Sequence, residues 1–190
     1  MREPLLEPIL RKMRISRVLP LLKQFPQCRL LDVGCGWDAK FLKNVEAYIA
    51  SGIGIDFKAP NLENDKLKTI SATLDNKLPF CDNSFDLVTL MAVLEHLEKP
   101  LDILREIHRV LDKNGAAPGK LVGTAPAKLA KPVLEFLSYK LKIVNEAEIR
   151  DHKRYFNKKE LTEILKTAGF RHVEHKYFQL GMNNFFIAHA

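Results

Sequence analysis

The sequence predicts an α/β fold: a doubly wound, mostly parallel sheet of seven strands with helices on both faces. Three observations predict it. Leu30-Leu31-Asp32-Val33-Gly34-Cys35-Gly36 is an apolar run that breaks into closely spaced glycines. That is the pattern of a buried strand feeding a tight loop and then a helix. A second run, Gly52-Ile53-Gly54-Ile55, closes on an acid, Asp56. Short apolar runs then alternate along the chain with stretches of helical periodicity, an order that builds parallel strands covered on both sides.

The elements follow in order. An N-terminal helical region occupies residues 1–27, with Leu5, Leu6, Ile9, Leu10, Met13, Val18 and Leu22 as its apolar face. Pro4, Pro8 and Pro20 should limit it to short pieces. The first strand covers about 29–34, and a helix runs from Asp38 to about Ala47. The second strand ends at Asp56, and a short helix near 60–65 leads to a third strand near 67–72. Asp82-Asn83-Ser84 is turn chemistry. The fourth strand, Phe85 to Met91, is continuously apolar after Asp86, as a strand covered on both faces should be. Pro100 opens a helix to about Leu111, a position that suits proline, and Asn114-Gly115 ends it. The fifth strand spans Gly119 to Ala125, and Ala116-Ala117-Pro118 before it reads as a small insertion. Asn157-Lys158-Lys159-Glu160 has the form of a capping box before a helix ending at Gly169. The last two strands, near 172–179 and 184–189, form a hairpin around Gly181. The whole of 1–190 reads as one domain, a size that buries a sizeable core.

In such sheets ligands bind beyond the carboxyl ends of the strands. Glycine lets the backbone approach a ligand closely, and the helix after the loop turns free N–H groups toward it. An acid about twenty residues on, at the tip of the next strand, is where a βαβ site grips ribose hydroxyls. An adenosine-type cofactor follows. Gly34-x-Gly36-x-x-Ala39 also fits the loose dinucleotide pattern, so glycine spacing alone does not choose between cofactors. Asp32 does more. A carboxylate at the loop mouth opposes a pyrophosphate and favours a sulfonium and an ammonium. Opposite charges about 4 Å apart gain roughly 1 kcal/mol in water and about 4 kcal/mol near a protein surface. The plainer alternative for Asp32 is a carboxylate that only accepts from loop N–H groups.

Leu30 to Gly36 resembles the first motif of the class I S-adenosylmethionine-dependent methyltransferases. Ile53-Gly54-Ile55-Asp56, Leu78 to Val88, Val93-Leu94-Glu95-His96 and Glu106 to Leu111 resemble further segments of that family in the same order. The resemblance is to its small-molecule, type 11-like subgroup, whose members act on quinone precursors, lipids, sugars and natural products. It implies a Rossmann-like sheet with an antiparallel last strand and S-adenosyl-L-methionine as cofactor. It places Asp32, Gly34, Cys35 and Gly36 around the donor, Asp56 on the ribose hydroxyls and Phe57 beside the adenine. Either Asp75 or the Leu74 backbone takes the adenine edge, and Met91 lies beneath the sulfonium. The family often has a third glycine where this chain has Asp38, which should instead open and cap the following helix.

Methyl transfer disperses charge, so positioning and exclusion of water do much of the work, and a base is needed only if the acceptor must lose a proton. His96, after the fourth strand, is the first candidate base, with a loop-shaping histidine as the alternative; Glu95 is the next. His152, in Asp151-His152-Lys153-Arg154-Tyr155-Phe156, resembles a family segment that folds over the acceptor. The helical cap insertion at 127–157 either lids an apolar acceptor bearing an acidic group or docks as a helix on the sheet.

Composition is that of an ordinary globule, with 46% hydrophobic and 28% charged residues. Cys28, Cys35 and Cys81 form no C-x-x-C pair and have no nearby histidine set. They therefore suggest no metal site and suit a reducing cytoplasm. No apolar run reaches a membrane span, and no signal peptide is expected. The net charge of +7 is spread over the chain, so lysine-rich helix faces account for it. Peripheral membrane contact through Arg11-Lys12-Met13-Arg14 and Arg17 is the other reading of the basic N-terminal segment. Nucleic-acid methylation is disfavoured: the fourth strand lacks the Asn/Asp-Pro-Pro-aromatic ending, and no Pro-Cys nucleophile exists. The expected partner is a small-molecule methyl acceptor; oligomeric state is not legible. Two other classes stay open: an NAD(P)-dependent oxidoreductase, and a module that binds the adenosyl cofactor without catalysis.

Overall fold

A computed structural model describes residues 7–74, 77–115, 117–135 and 151–190. One seven-stranded sheet organises them, in the order β3-β2-β1-β4-β5-β7-β6. The strands are β1 (Arg29–Val33), β2 (Ser51–Asp56), β3 (Leu67–Ser71), β4 (Leu87–Met91), β5 (Lys120–Pro126), β6 (His172–Phe178) and β7 (Asn183–His189). The first five are parallel. β7 enters antiparallel to β5, and β6 pairs antiparallel with β7 at the edge.

Alternation along the strands sorts side chains onto two faces. Leu31, Val33, Val88, Leu90, Leu121, Ala125, Phe186 and Ala188 face α3 (Pro100–Val110) and the helix Lys158–Thr167, here α5. Leu30, Leu87, Val122, Phe185 and Ile187 face α1 (Glu7–Gln24) and α2 (Lys40–Val45). A six-residue helix, α4 (Ala130–Glu135), follows β5. Asn157 caps α5 by the expected box, its side chain accepting from Glu160 N–H while Glu160 accepts from Asn157 N–H. Among the described residues no helix is long and apolar enough to cross a membrane.

Three expectations need correction. α1 is continuous through Pro20 rather than broken. Pro20 and Ser16, whose carbonyl loses its usual donor, both lie on the exposed side, where water can take the place of the missing N–H. No helix forms near 60–65. Instead Asn64 Oδ1 accepts from Lys66 and Leu67 N–H, and a Glu63–Lys68 bridge leads into β3. Asp38 precedes α2 rather than opening it. Ala39, with φ 49°, holds the cap position, and Asp38 accepts from Lys40 N–H at 3.2 Å. Much of the cap insertion, 136–150, lies outside the described residues, as do Leu5 and Leu6.

Gly34 ends β1 at φ 80°, and a Cβ there would stand 2.2 Å from Val93 Cγ2. This glycine is therefore demanded by the loop after β4 as well as by its own dihedral. Gly34→Ala should cost roughly 2–5 kcal/mol in denaturant unfolding, from left-handed strain and overpacking together. Val93→Ala in the same chain should return part of that loss. No recovery in the double variant would mean that the close approach is not the cause.

Candidate active site

The carboxyl ends of β1 and β2 hold two acids. Asp32 lies within β1, paired with Gly54 on one side and Thr89 on the other. It is 2% exposed. Its Oδ1 accepts the Thr89 hydroxyl at 2.7 Å. Burial pushes its carboxyl up to about 7; the Thr89 bond opposes the rise and the charge of Asp56 adds to it. Asp32 does not accept from the glycine loop. The N–H groups of Gly34 and Cys35 go to Ile55 O, and that of Gly36 goes to Asp56 Oδ2 at 3.1 Å. Asp56 Oδ1 accepts from Lys58 N–H at 2.8 Å. Each Asp56 oxygen thus takes one backbone donor and keeps a second lone-pair direction for a hydroxyl.

The loop between these acids is open. Gly36 has φ 72°, and a Cβ built on it meets nothing within 4 Å. Cys35 is buried, its sulfur facing the Gly54 Cα, and burial raises its thiol well above the ordinary range. It is a packing residue whose backbone alone faces the loop. Phe57, after Asp56, is 63% exposed, and Trp37, after Gly36, is 54% exposed. The sequence reading passed over Trp37; its signal was a lone tryptophan inside a glycine loop. Met91 ends β4 half-buried against the α1–α2 face. Ala92 follows with φ 57°, its N–H donating to both the carbonyl and the hydroxyl of Thr124 at 3.1 Å. Leu74 packs against the opposite core layer, and Asp75 lies outside the described residues.

A second cluster forms where the segment 151–156 docks on the loop after β4. Lys153 N–H donates to Glu95 O, Arg154 reaches the Leu97 and Glu98 carbonyls, and Lys153 pairs with Glu98. This brings the two histidines expected at the site together, with ring centroids 4.8 Å apart. His96 Nδ1 lies 2.8 Å from Asp151 Oδ2, and His152 Nδ1 lies 3.2 Å from the Tyr155 hydroxyl. Burial, with the field of His96, lowers His152 to about 4. Glu95 is 1% exposed, its Oε2 has no hydrogen-bond partner, and burial raises its carboxyl to about 7. Asp151 was not foreseen as a partner of His96, because 55 residues separate them.

An α/β sheet with an open glycine loop between two strand-end acids is an arrangement able to hold a nucleoside-type cofactor, and sequence comparison narrows it. A "Methyltransferase domain" family profile matches residues 31–117. A demethylmenaquinone methyltransferase of Lactiplantibacillus plantarum is 30% identical over 179 residues, covering 80% of this chain and 74% of that protein. The ubiquinone/menaquinone biosynthesis C-methyltransferase UbiE of Desulfotalea psychrophila is 32% identical, covering 67% and 59%. The fold matches an S-adenosylmethionine-dependent methyltransferase from Mesorhizobium loti with TM-score 0.64 and 17% identity, over 91% of this chain and 97% of that one. The chain belongs to the class I S-adenosylmethionine-dependent methyltransferases, in the type 11 group, and is an enzyme. The comparisons favour neither the oxidoreductase nor the binding-only reading.

The Asp32 environment makes stability depend on pH. Its folded-state carboxyl titrates near 7, above the ordinary value of about 4. The folded protein therefore binds that proton more tightly than the unfolded chain does. The resulting stability is complete below pH about 4 and is lost as pH rises through about 7. The melting temperature of the ligand-free wild type should fall relative to that of Asp32→Asn between pH 5 and pH 8. A gap that stays constant across this interval would refute the assignment.

Proposed function

We propose that the chain, acting as a single methyltransferase domain, moves a methyl group from S-adenosyl-L-methionine to a lipophilic small-molecule acceptor of the demethylmenaquinone kind. The observation that carries the donor side is the pair Asp32 and Asp56 flanking an open glycine loop. Bound S-adenosylmethionine supplies an electrophilic methyl on a cationic sulfur. The buried Asp32 carboxylate favours that charge and the neighbouring ammonium. The spare lone pairs of Asp56 accept the two ribose hydroxyls. Phe57 flanks the adenine, Leu74 or Asp75 meets its edge, and the Gly34-Cys35-Gly36 backbone lines the methionine end above Met91.

On the acceptor side, His96 in the loop after β4 and His152 on the segment docked against that loop promote loss of the acceptor's proton, with Asp151 orienting His96. Leu129, 76% exposed, and Val133 on α4 offer apolar surface beyond the end of β5. They support a lipophilic acceptor beneath a cap made by 127–157. The names of the two relatives support the same acceptor class. Three free cysteines suit a cytoplasmic setting.

Methyl-labelled S-adenosylmethionine and a demethylmenaquinone in detergent micelles test this. Labelled lipid product is expected, and product on none of a panel of lipophilic phenols and quinols would end the proposal. Asp32→Asn should weaken S-adenosylmethionine binding at least 10-fold and weaken the demethylated, uncharged-sulfur product less, as a lost charge pair requires. His96→Ala should lower turnover about 100-fold or more, the range of proton handling by a positioned side chain, with donor affinity kept within threefold. Equal losses in donor affinity and turnover would move His96 out of the acceptor site.

A further inference from the structure

We propose that Glu95, His96 and His152 form a binding site for a divalent transition-metal ion, with a coordination position left open for an oxygen of the methyl acceptor. This rests on the reading that places the acceptor beyond the end of β4.

The three residues each offer one ligand atom, and these atoms lie within 4.8 Å of one another. Two imidazole nitrogens and one carboxylate oxygen are the donor set that suits zinc, iron(II) or manganese(II), and three protein ligands leave room for a substrate oxygen. Zinc bonds of about 2.0–2.1 Å in a tetrahedron put ligand atoms about 3.3 Å apart. The present spacing exceeds that of a bound tetrahedron by about 1.5 Å at most.

Two further observations point to a ligand. The first is Glu95 Oε2, an acceptor sealed from water and without a partner. A buried carboxylate left in that state is costly unless something positive reaches it. The second is the outer partners. His96 Nδ1 faces Asp151 and His152 Nδ1 faces the Tyr155 hydroxyl, which leaves Nε2 of each ring for an ion. Metal-bound histidines ordinarily hold their other nitrogen this way, which fixes ring and tautomer. An ion here would bind an acceptor hydroxyl as a Lewis acid and ease loss of its proton to solvent before the methyl arrives. The acceptor class narrows to quinols and phenols that present an oxygen to a metal.

The test uses the full chain stripped of metal, in a His172→Ala background. That change removes a member of a second, exposed His172-Glu174-His189 group on the sheet edge, which could take up zinc independently. Titration with Zn²⁺ against a chromophoric chelator should show one equivalent bound. Glu95→Gln and His152→Gln should each weaken it at least 10-fold, and Asp151→Asn by about 10- to 100-fold. Co²⁺ should give intense visible bands of a four- or five-coordinate site, shifted on addition of a hydroxyl-bearing quinol. Binding of S-adenosylhomocysteine by each variant reports that the fold is kept. If a variant does not fold, the Co²⁺ spectrum of the parent decides. Absence of uptake, a weak octahedral spectrum, or affinity indifferent to Glu95 and His152 overturns the site. Metal binding without donor binding would keep the site and defeat the proposed reaction instead.

Discussion

A carboxylate buried at the centre of the sheet constrains everything around it. Asp32 stands between Gly54 and Thr89, reached by water on almost none of its surface. The sheet can keep it because β2 contributes a residue with no side chain and β4 contributes a hydroxyl at 2.7 Å. One hydrogen bond does not repay full desolvation of a charge, so the proton affinity rises until charge and neutrality nearly balance at physiological pH. A cation arriving beside it tips that balance. The same register fixes β1 against β2 and β4, and so sets where the glycine loop, Asp56 and the Met91–Ala92 corner meet.

The fold was legible because it rests on periodicity and punctuation. Continuous apolar runs marked the central strands, Asn157 with Glu160 marked the start of α5, and Gly181 marked the last hairpin. The misreadings were local. Pro20 was read as a break because its missing N–H was weighed without its place on the polar side of α1, where water can serve the Ser16 carbonyl. The stretch 60–65 was read as helix because the bonds that the Lys66 and Leu67 N–H groups donate to the Asn64 side chain carry no periodic signal. The start of α2 was placed too early, at Asp38, since the following Ala39 adopts a left-handed cap conformation that alanine does not advertise.

The proposed donor side, Leu30 to Asp56, was nameable from sequence because its residues are neighbours along the chain. The acceptor side was not. His96 and His152 were named separately, yet their contact and the partnership with Asp151 depend on a backbone bond from Lys153 to Glu95. Gly34 looked like a ligand-facing glycine, while its closest constraint is Val93. Packing, rather than ligand approach, is enough to demand it.

The stretch after β5 is tied at both ends by main-chain pairs. Ala127 N–H donates to Met182 O, Phe156 N–H to Pro126 O, and Lys153 N–H to Glu95 O. These bonds ask nothing of the side chains between them. Main-chain pairs at the ends of the stretch leave the length of chain between them free to change while both brackets and the sheet beneath stay as they are. A change there leaves the ends of β1 and β2, with Asp32 and Asp56, untouched.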